Sequence, residues 1–326
     1  MTSVLKAIPE RRRGSLMIAL RDYGIYLALA LLIIYFSVQV PQFRSWDNAL
    51  LILLQVSVIG IIAIGMTFTI LTAGIDLSVG SLLAIAGIFS GVFAQKDPTL
   101  STVALAFSLP ILIGLAGGAI NGLVIAWAGV SPLIVTLGTL TAYRGFVVWY
   151  RVNPIYDLQP YYQVVGQGTV GPVPIPVLIL IAMAIVAWTA LSFTRFGRYV
   201  YAVGGNREAA RAAGINVELV TFSVYVISGF CVGVAALIFT SRLMAAQAIS
   251  GQGFELQAIA AAVVGGASLF GGRGRISNTI VGALIMGVLF NGFVMLDVPQ
   301  PIQQMAIGII IIAAVWLDGI LRKRRR

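Results

Sequence analysis

The chain has no histidine, one cysteine in 326 residues, and charge on only 10% of its positions. Without imidazole there is no Ser-His-Asp relay, no histidine base and little scope for zinc. The single Cys231 excludes an internal disulfide or a cysteine cluster. Between Phe230 and Val232 it reads as a small apolar packing residue. A phosphate-cradling GxxxxGK[ST] run is also missing, so the chain does not hydrolyse nucleotide by that chemistry. No cofactor and no metal are expected. Scarce charge accompanies 59% apolar residues and a mean hydropathy of +0.99. Soluble domains carry roughly 45–50% apolar and about 25% charged residues, so a soluble enzyme is excluded.

What is present is long apolar runs. A helix needs about 20 mostly apolar residues to cross a bilayer. Ten stretches qualify, at 23–40, 49–72, 79–95, 102–127, 133–150, 174–193, 219–241, 256–271, 277–297 and 302–320. The eighth is short and glycine-rich, so a broken or re-entrant segment is expected there. The predicted class is an all-α integral membrane protein. A basic segment 1–22, a polytopic domain 23–320 and a basic tail 321–326 divide it. The first apolar run leads straight into further spans, unlike a cleaved leader.

The 21 lysines and arginines fix the expected orientation. With ten spans, sixteen of them fall on the side of both termini, among them Arg195, Arg198, Arg207, Arg211, Arg273 and Arg275. Five (Arg44, Lys96, Arg144, Arg151 and Arg242) fall on the other. Both termini are therefore expected in the cytoplasm. The net charge of +10 then sets topology and meets anionic lipid, not nucleic acid.

Thirty-six glycines sit largely inside the spans. Gly118 and Gly122 have the spacing that lets two helix backbones approach closely in lipid. Asn121-Gly122-Leu-Val-Ile is echoed 170 residues later by Asn291-Gly292-Phe-Val-Met. Two halves of five spans each run in opposite senses, so the echo suggests an inverted repeat.

Asp76 lies in Thr72-Ala-Gly-Ile-Asp-Leu-Ser-Val-Gly80, between two apolar runs, where a carboxylate is costly without partners. Three roles are open. Asp76 and Ser78 could cap the following helix, line a polar path, or form a proton- or ion-coupling site. Other polar residues in or near spans are Gln55, Thr67, Thr69, Thr72, Thr136, Thr139, Ser268, Asn121 and Asn291. Most of the hydroxyls are expected to bond to their own helix carbonyls; the two asparagines are better candidates for a path. Glu255 and Asp297 are expected near the outer edge, and Asp318 near the tail. In the long basic loop 194–218, Asn206 caps a predicted short helix 207–213 that ends at Gly214. Its alanines, with Glu208 and Arg211 on one face, form either a docking knob or a solvated connector. The segment 151–173 forms either a folded outer cap or, through Tyr156, Tyr161 and Tyr162, an aromatic belt at the interface.

Glu208-Ala209-Ala210-x-x-x-Gly214-Ile215 resembles the loop signature of the membrane subunits of bacterial ABC importers. GIDLSVGS (74–81), the run 194–216 and FELQAIAAAVVGGASLFGGRGR (254–275) resemble the ribose-type monosaccharide permeases, over roughly residues 40–320. The resemblance implies a type II importer-like permease in the bacterial inner membrane that pairs as a homodimer. It implies as partners an ATP-binding cassette ATPase on the cytoplasmic side and an external sugar-binding protein. Glu208, Ala209, Ala210 and Gly214 would form the ATPase-coupling helix. Asp76, Ser78, Asn121 and Asn291 would belong to the translocation path. The rival reading is a secondary transporter coupled to protons or sodium through Asp76. An intramembrane enzyme would gather several titratable groups at one depth, and the acids here are scattered.

Overall fold

The computed structural model describes the backbone of residues 10–323 and the side chains from Gly24 to Trp316. Residues 1–9 and 324–326, and with them Lys6 and Arg324–Arg326 of the charge count, lie outside the described residues. So do the side chains of Arg11, Arg12, Arg13, Arg21, Arg322, Lys323 and Asp318.

Thirteen α-helices carry almost the whole described chain: α1 (Glu10–Gln39), α2 (Trp46–Leu71), α3 (Val79–Ala94), α4 (Leu100–Ala126), α5 (Pro132–Tyr150), α6 (Val164–Gln167), α7 (Ile175–Phe193), α8 (Arg195–Gly205), α9 (Arg207–Ala212), α10 (Val217–Leu243), α11 (Phe254–Val264), α12 (Ile276–Met295) and α13 (Gln300–Lys323). Each of the ten apolar stretches coincides with one helix of this set. Six of them, α2, α4, α5, α7, α10 and α12, are long and apolar enough to cross a membrane. The other four offer shorter apolar lengths, at Gly24–Gln39, α3, α11 and Gln300–Trp316.

Local chemistry sets the ends. Ser45 accepts the Asn48 N–H at the start of α2 and Asn216 that of Leu219 at the start of α10. Thr99 and Thr102 form a reciprocal capping box on α4. Among the helices that stop on left-handed residues are α2, beyond its cap at Ala73 (φ 60°), and α10, at Met244 (φ 48°). Each of these two stops opens a non-helical stretch, 72–78 and 244–253, that leads into a short helix, α3 and α11. At 1.5 Å per residue the 11 residues of α11 reach about 16 Å, half the hydrocarbon core of about 30 Å. The expected break in the eighth stretch is therefore present, with 265–275 non-helical.

The centre of the bundle is α2 and α10, with α4 along α10 and α12 along α2. A Cβ on Gly118 would stand 2.3 Å from the Tyr225 carbonyl oxygen, and one on Gly229 2.1 Å from that of Gly114. The α4–α10 seam is thus a backbone-to-backbone approach that any side chain would pry apart. Large apolar side chains point outward from the periphery, including Leu31 and Val38 of α1, Trp149 of α5, Val186 of α7, and Ile312 and Trp316 of α13. That surface suits lipid, not water.

At one end of the bundle, 151–173 folds into a cap. It contains a 3-10 turn (Pro160–Gln163), α6 and a two-residue hairpin, Thr169–Val170 against Val173–Pro174. An antiparallel bridge joins Ile155 to Ala246. Tyr162 is fully buried and shares a hydrogen bond with Ser90, while Tyr156 is exposed. Burial holds the Tyr162 hydroxyl above its ordinary pKa, with the Ser90 bond acting in the opposite direction. The belt reading fails for Tyr162, which packs the cap onto α3 and α4. At the opposite end, 195–205 forms α8 where the sequence suggested part of a long basic loop. Thr194 caps it by accepting the Gly197 N–H, and Val200 and Val203 turn inward.

Candidate functional site

Asp76 is fully buried, and both its carboxylate oxygens are occupied. Oδ1 accepts the Ser78 N–H at 3.1 Å and the Ser78 hydroxyl at 2.7 Å, with the Asn121 amide at 3.5 Å. Oδ2 accepts the Ser228 hydroxyl at 2.8 Å. Asn121 also donates to the Ser78 hydroxyl at 2.9 Å. One carboxylate therefore ties the 72–78 stretch to α4 through Asn121 and to α10 through Ser228. Beside it, the Tyr225 hydroxyl donates to the Ile75 carbonyl at 3.4 Å, and the Thr136 hydroxyl lies 3.2 Å from the same oxygen.

These donors are all neutral. Hydrogen bonds alone meet the buried carboxyl group, since no salt-bridge partner faces it among the described residues. Asp76 does not cap α3 with its side chain in the expected manner. The helix begins at Val79, its flanking residue Ser78 makes no side-chain capping bond, and Asp76 closes a tight turn on Ser78 instead. No cluster of three or more metal-ligating side chains occurs among the described residues.

Of the four residues assigned to a path, Asp76, Ser78 and Asn121 meet in this cluster and Asn291 does not. Asn291 donates to the Asn48 side chain at 2.8 Å, and Asn48 donates to the Phe43 carbonyl at 3.1 Å, so this pair joins α12 to the start of α2. Both asparagines keep a buried carbonyl oxygen without a partner among the described residues, Asn121 Oδ1 and Asn291 Oδ1. Ser228 had no sequence signal. It lies 152 residues from Asp76 in an unremarkable apolar stretch. As expected, Thr67, Thr69, Thr72, Thr136 and Thr139 donate to carbonyls of their own helical turn.

Glu255 is not at an edge. It accepts the Gly253 N–H at 3.2 Å in the first turn of α11, and its Oε2 would lie 2.5 Å from a Cβ on Gly80. The starts of α3 and α11 therefore meet. Arg144 of α5 faces Glu255 and donates to the Ala248 and Ser250 carbonyls of the non-helical stretch.

The other candidate is α9. Asn206 accepts the Ala209 N–H at 3.0 Å, as its place before the helix predicts. The end is a Schellman motif. Gly214 N–H bonds to the Arg211 carbonyl, Ile215 N–H bonds to that of Ala210, and Gly214 has φ +81°. Glu208 is 82% exposed and pairs with Arg211 at 3.2 Å; Arg211 also bonds Glu218 at the foot of α10. The Glu218 pairing holds the Arg211 guanidinium above its ordinary pKa. Ala209 is exposed and Ala210 buried. Ala210 thus fastens the knob to the bundle, while Glu208, Ala209 and Gly214 remain on its free surface.

The family described as "branched-chain amino acid transport system / permease component" matches residues 48–315. The chain is 41% identical to the ribose import permease protein RbsC of Haemophilus influenzae, over 92% of this chain and 94% of the relative. It is 37% identical to the D-allose transport system permease protein AlsC of Escherichia coli, over 99% of both. It is 33% identical to the xylose transport system permease protein XylH of Haemophilus influenzae, over 94% of this chain and 98% of the relative. No solved structure matches. These relatives agree with one another in carrying sugars, although the broader family is described by amino acids. The expected homodimer has no support in the single chain or in these relatives' names. By family match, by identity across nearly its whole length and by its apolar helices, the chain belongs to the ribose-type sugar permeases of the ABC transporter family and is a multi-pass membrane transport subunit.

Proposed function

We propose that the chain forms the translocation path of an ATP-driven importer for a monosaccharide, with energy supplied by a separate ATPase and sugar delivered by an external binding protein. The observation that carries the ATP-driven part is α9. It is a short helix of six residues, capped at both ends, with Glu208 and Ala209 free, braced on α10 through Arg211 and Glu218. A secondary transporter needs no such element. The sugars named for the relatives, ribose, allose and xylose, supply the substrate class.

In this reading both termini and α9 face the cytoplasm, and the 151–173 cap faces the binding protein. Ten membrane segments, with α11 reaching only part of the way, form two inverted five-helix repeats, α1–α5 and α7 with α10–α13. The packing supports that pairing. α3 lies on α4 and α5 as α11 lies on α12 and α13, and α4 lies on α10 as α12 lies on α2. The left-handed stops at Ala73 and Met244 precede α3 and α11 at matching places. Asn121 and Asn291 occupy the matching helices α4 and α12. Asp76, Ser78 and Asn121 act as a tether for the break before α3, at the edge of the path.

The test is reconstitution in liposomes. Sugar accumulation is expected only when the permease is combined with its ATPase, ATP and receptor. Uphill uptake by the permease alone would refute the reading. Cross-linking of introduced cysteines in the same membranes decides whether two copies pair.

A further inference from the structure

Between α2, α10, α11 and α12 lies a cavity of about 270 Å³, separate from the Asp76 cluster. Phe239, Phe254 and Phe290 line it together with three polar side chains, Gln55, Gln257 and Arg242. None of those three side chains has a hydrogen-bond or ion-pair partner among the described residues; Arg242 is engaged only through its backbone carbonyl. The chain thus supplies donors to both oxygens of Asp76 and leaves these three half-buried side chains without a protein partner.

Their depth makes that exceptional. Gln55 lies nine residues into α2, about 14 Å along it. Gln257 is in the first turn of α11, two residues beyond the Glu255 that meets the base of α3. On the span arrangement proposed above, both fall within a hydrocarbon core of about 30 Å. A primary amide facing lipid there is costly, so this wall borders water or a polar solute. Amide and guanidinium groups offer donors and acceptors to hydroxyls, and phenyl rings offer apolar faces to C–H surfaces. Carbohydrates combine both features. The volume falls just under the range of about 300–1,000 Å³ of pockets for drug-sized ligands, which suits a smaller solute.

We propose that this cavity is the permease's own station for the sugar, with Gln55, Gln257 and Arg242 bonding its hydroxyls and the three phenylalanines packing its C–H faces. The proposal rests on the monosaccharide reading above. Among the described lining residues there is no carboxylate, so the station does not select cations. Its contacts are few, which allows the sugar to leave as readily as it enters.

The test uses the whole importer, permease with ATPase and receptor, and ribose, allose and xylose as probes. Gln257→Cys is expected to react with a hydrophilic thiol reagent while the buried native Cys231 does not, and the transported sugar is expected to slow that reaction. Gln55→Leu and Gln257→Leu are each expected to lower uptake about tenfold, the factor for one lost hydrogen bond, with melting temperature and co-purification unchanged. A wild-type importer that carries no monosaccharide overturns the functional reading and this proposal with it. A wild-type importer that carries sugar, with both leucine variants at full rate or with Gln257→Cys inert to the reagent, overturns the station alone. Protection of that cysteine by a sugar acid and by no neutral sugar also overturns it.

Discussion

Replacing Asp76 separates the tether from a charge-coupling role. Asparagine keeps an oxygen that accepts the Ser78 N–H and hydroxyl, and its amide can donate to Ser228, whose own hydrogen turns back to the Val224 carbonyl. Leucine keeps none of these. It strands three buried donors: the Ser78 N–H, the Ser78 hydroxyl and the Ser228 hydroxyl. Each unsatisfied buried group costs about 1–3 kcal/mol, and rotation of the two hydroxyls places the total near the low end, about 3 kcal/mol. Both variants remove the ionisable carboxyl group equally, so the difference between them isolates the hydrogen bonds. At about 2 °C per kcal/mol, the lower end for long chains, Asp76→Leu is expected to melt about 6 °C below Asp76→Asn. The assay is thermal unfolding of the purified permease in detergent, with uptake by the reconstituted importer measured beside it. Asp76→Asn is expected to retain uptake and Asp76→Leu to lose most of it. Abolished uptake in an asparagine variant with a wild-type melting curve would mean that the charge itself is used, and would restore the ion-coupled alternative.

Glu208→Arg leaves the melting curve unchanged, because the side chain is in water and an exposed bridge contributes little. Co-purification of the ATPase is expected to fall, and an intact complex would remove α9 from docking. Gly118→Leu forces α4 off α10 and costs at least the ~1–3 kcal/mol of an overpacked core, read as a lower melting temperature and broadened elution. Equal stability would contradict the close approach. Tyr162 holds its proton more tightly folded than unfolded. Its contribution is therefore complete below about pH 10, the unfolded value, and declines above it. Tyr162→Phe is expected to lose about 0.5–1.5 kcal/mol at neutral pH with the Ser90 bond and to flatten the alkaline decline; an unaltered alkaline slope would contradict burial of that hydroxyl.

The apolar helices were legible because lipid-facing and core-facing positions both demand apolar residues, so span and run coincide. The caps of α9 were legible too, since Asn206 and Gly214 satisfy backbone groups within a few residues of themselves. Long-range partners were not. Ser228 meets Asp76 only after α10 and the 72–78 stretch are placed side by side, and Asn48 meets Asn291 in the same manner. Pattern also could not orient the alanines of α9, so it does not distinguish the buried Ala210 from the exposed Ala209. Tyr162 carries the composition of an interfacial belt, and only the folded cap distinguishes a buried hydroxyl from a wet one. α8 was hidden because its arginines dominate a sequence whose inward residues are few, Gly197, Val200 and Val203.

The glycine contacts between α4 and α10 have a mechanical consequence. Where two main chains lie directly against each other, there are no intervening rotamers to rearrange, so the two rods have little freedom to slide or tilt independently. They behave as a single girder, and any alternation of access has to be accommodated along joints upholstered with bulkier groups. Arg211 and Glu218 attach α9 to the foot of that girder, which places a push on the knob directly onto its length.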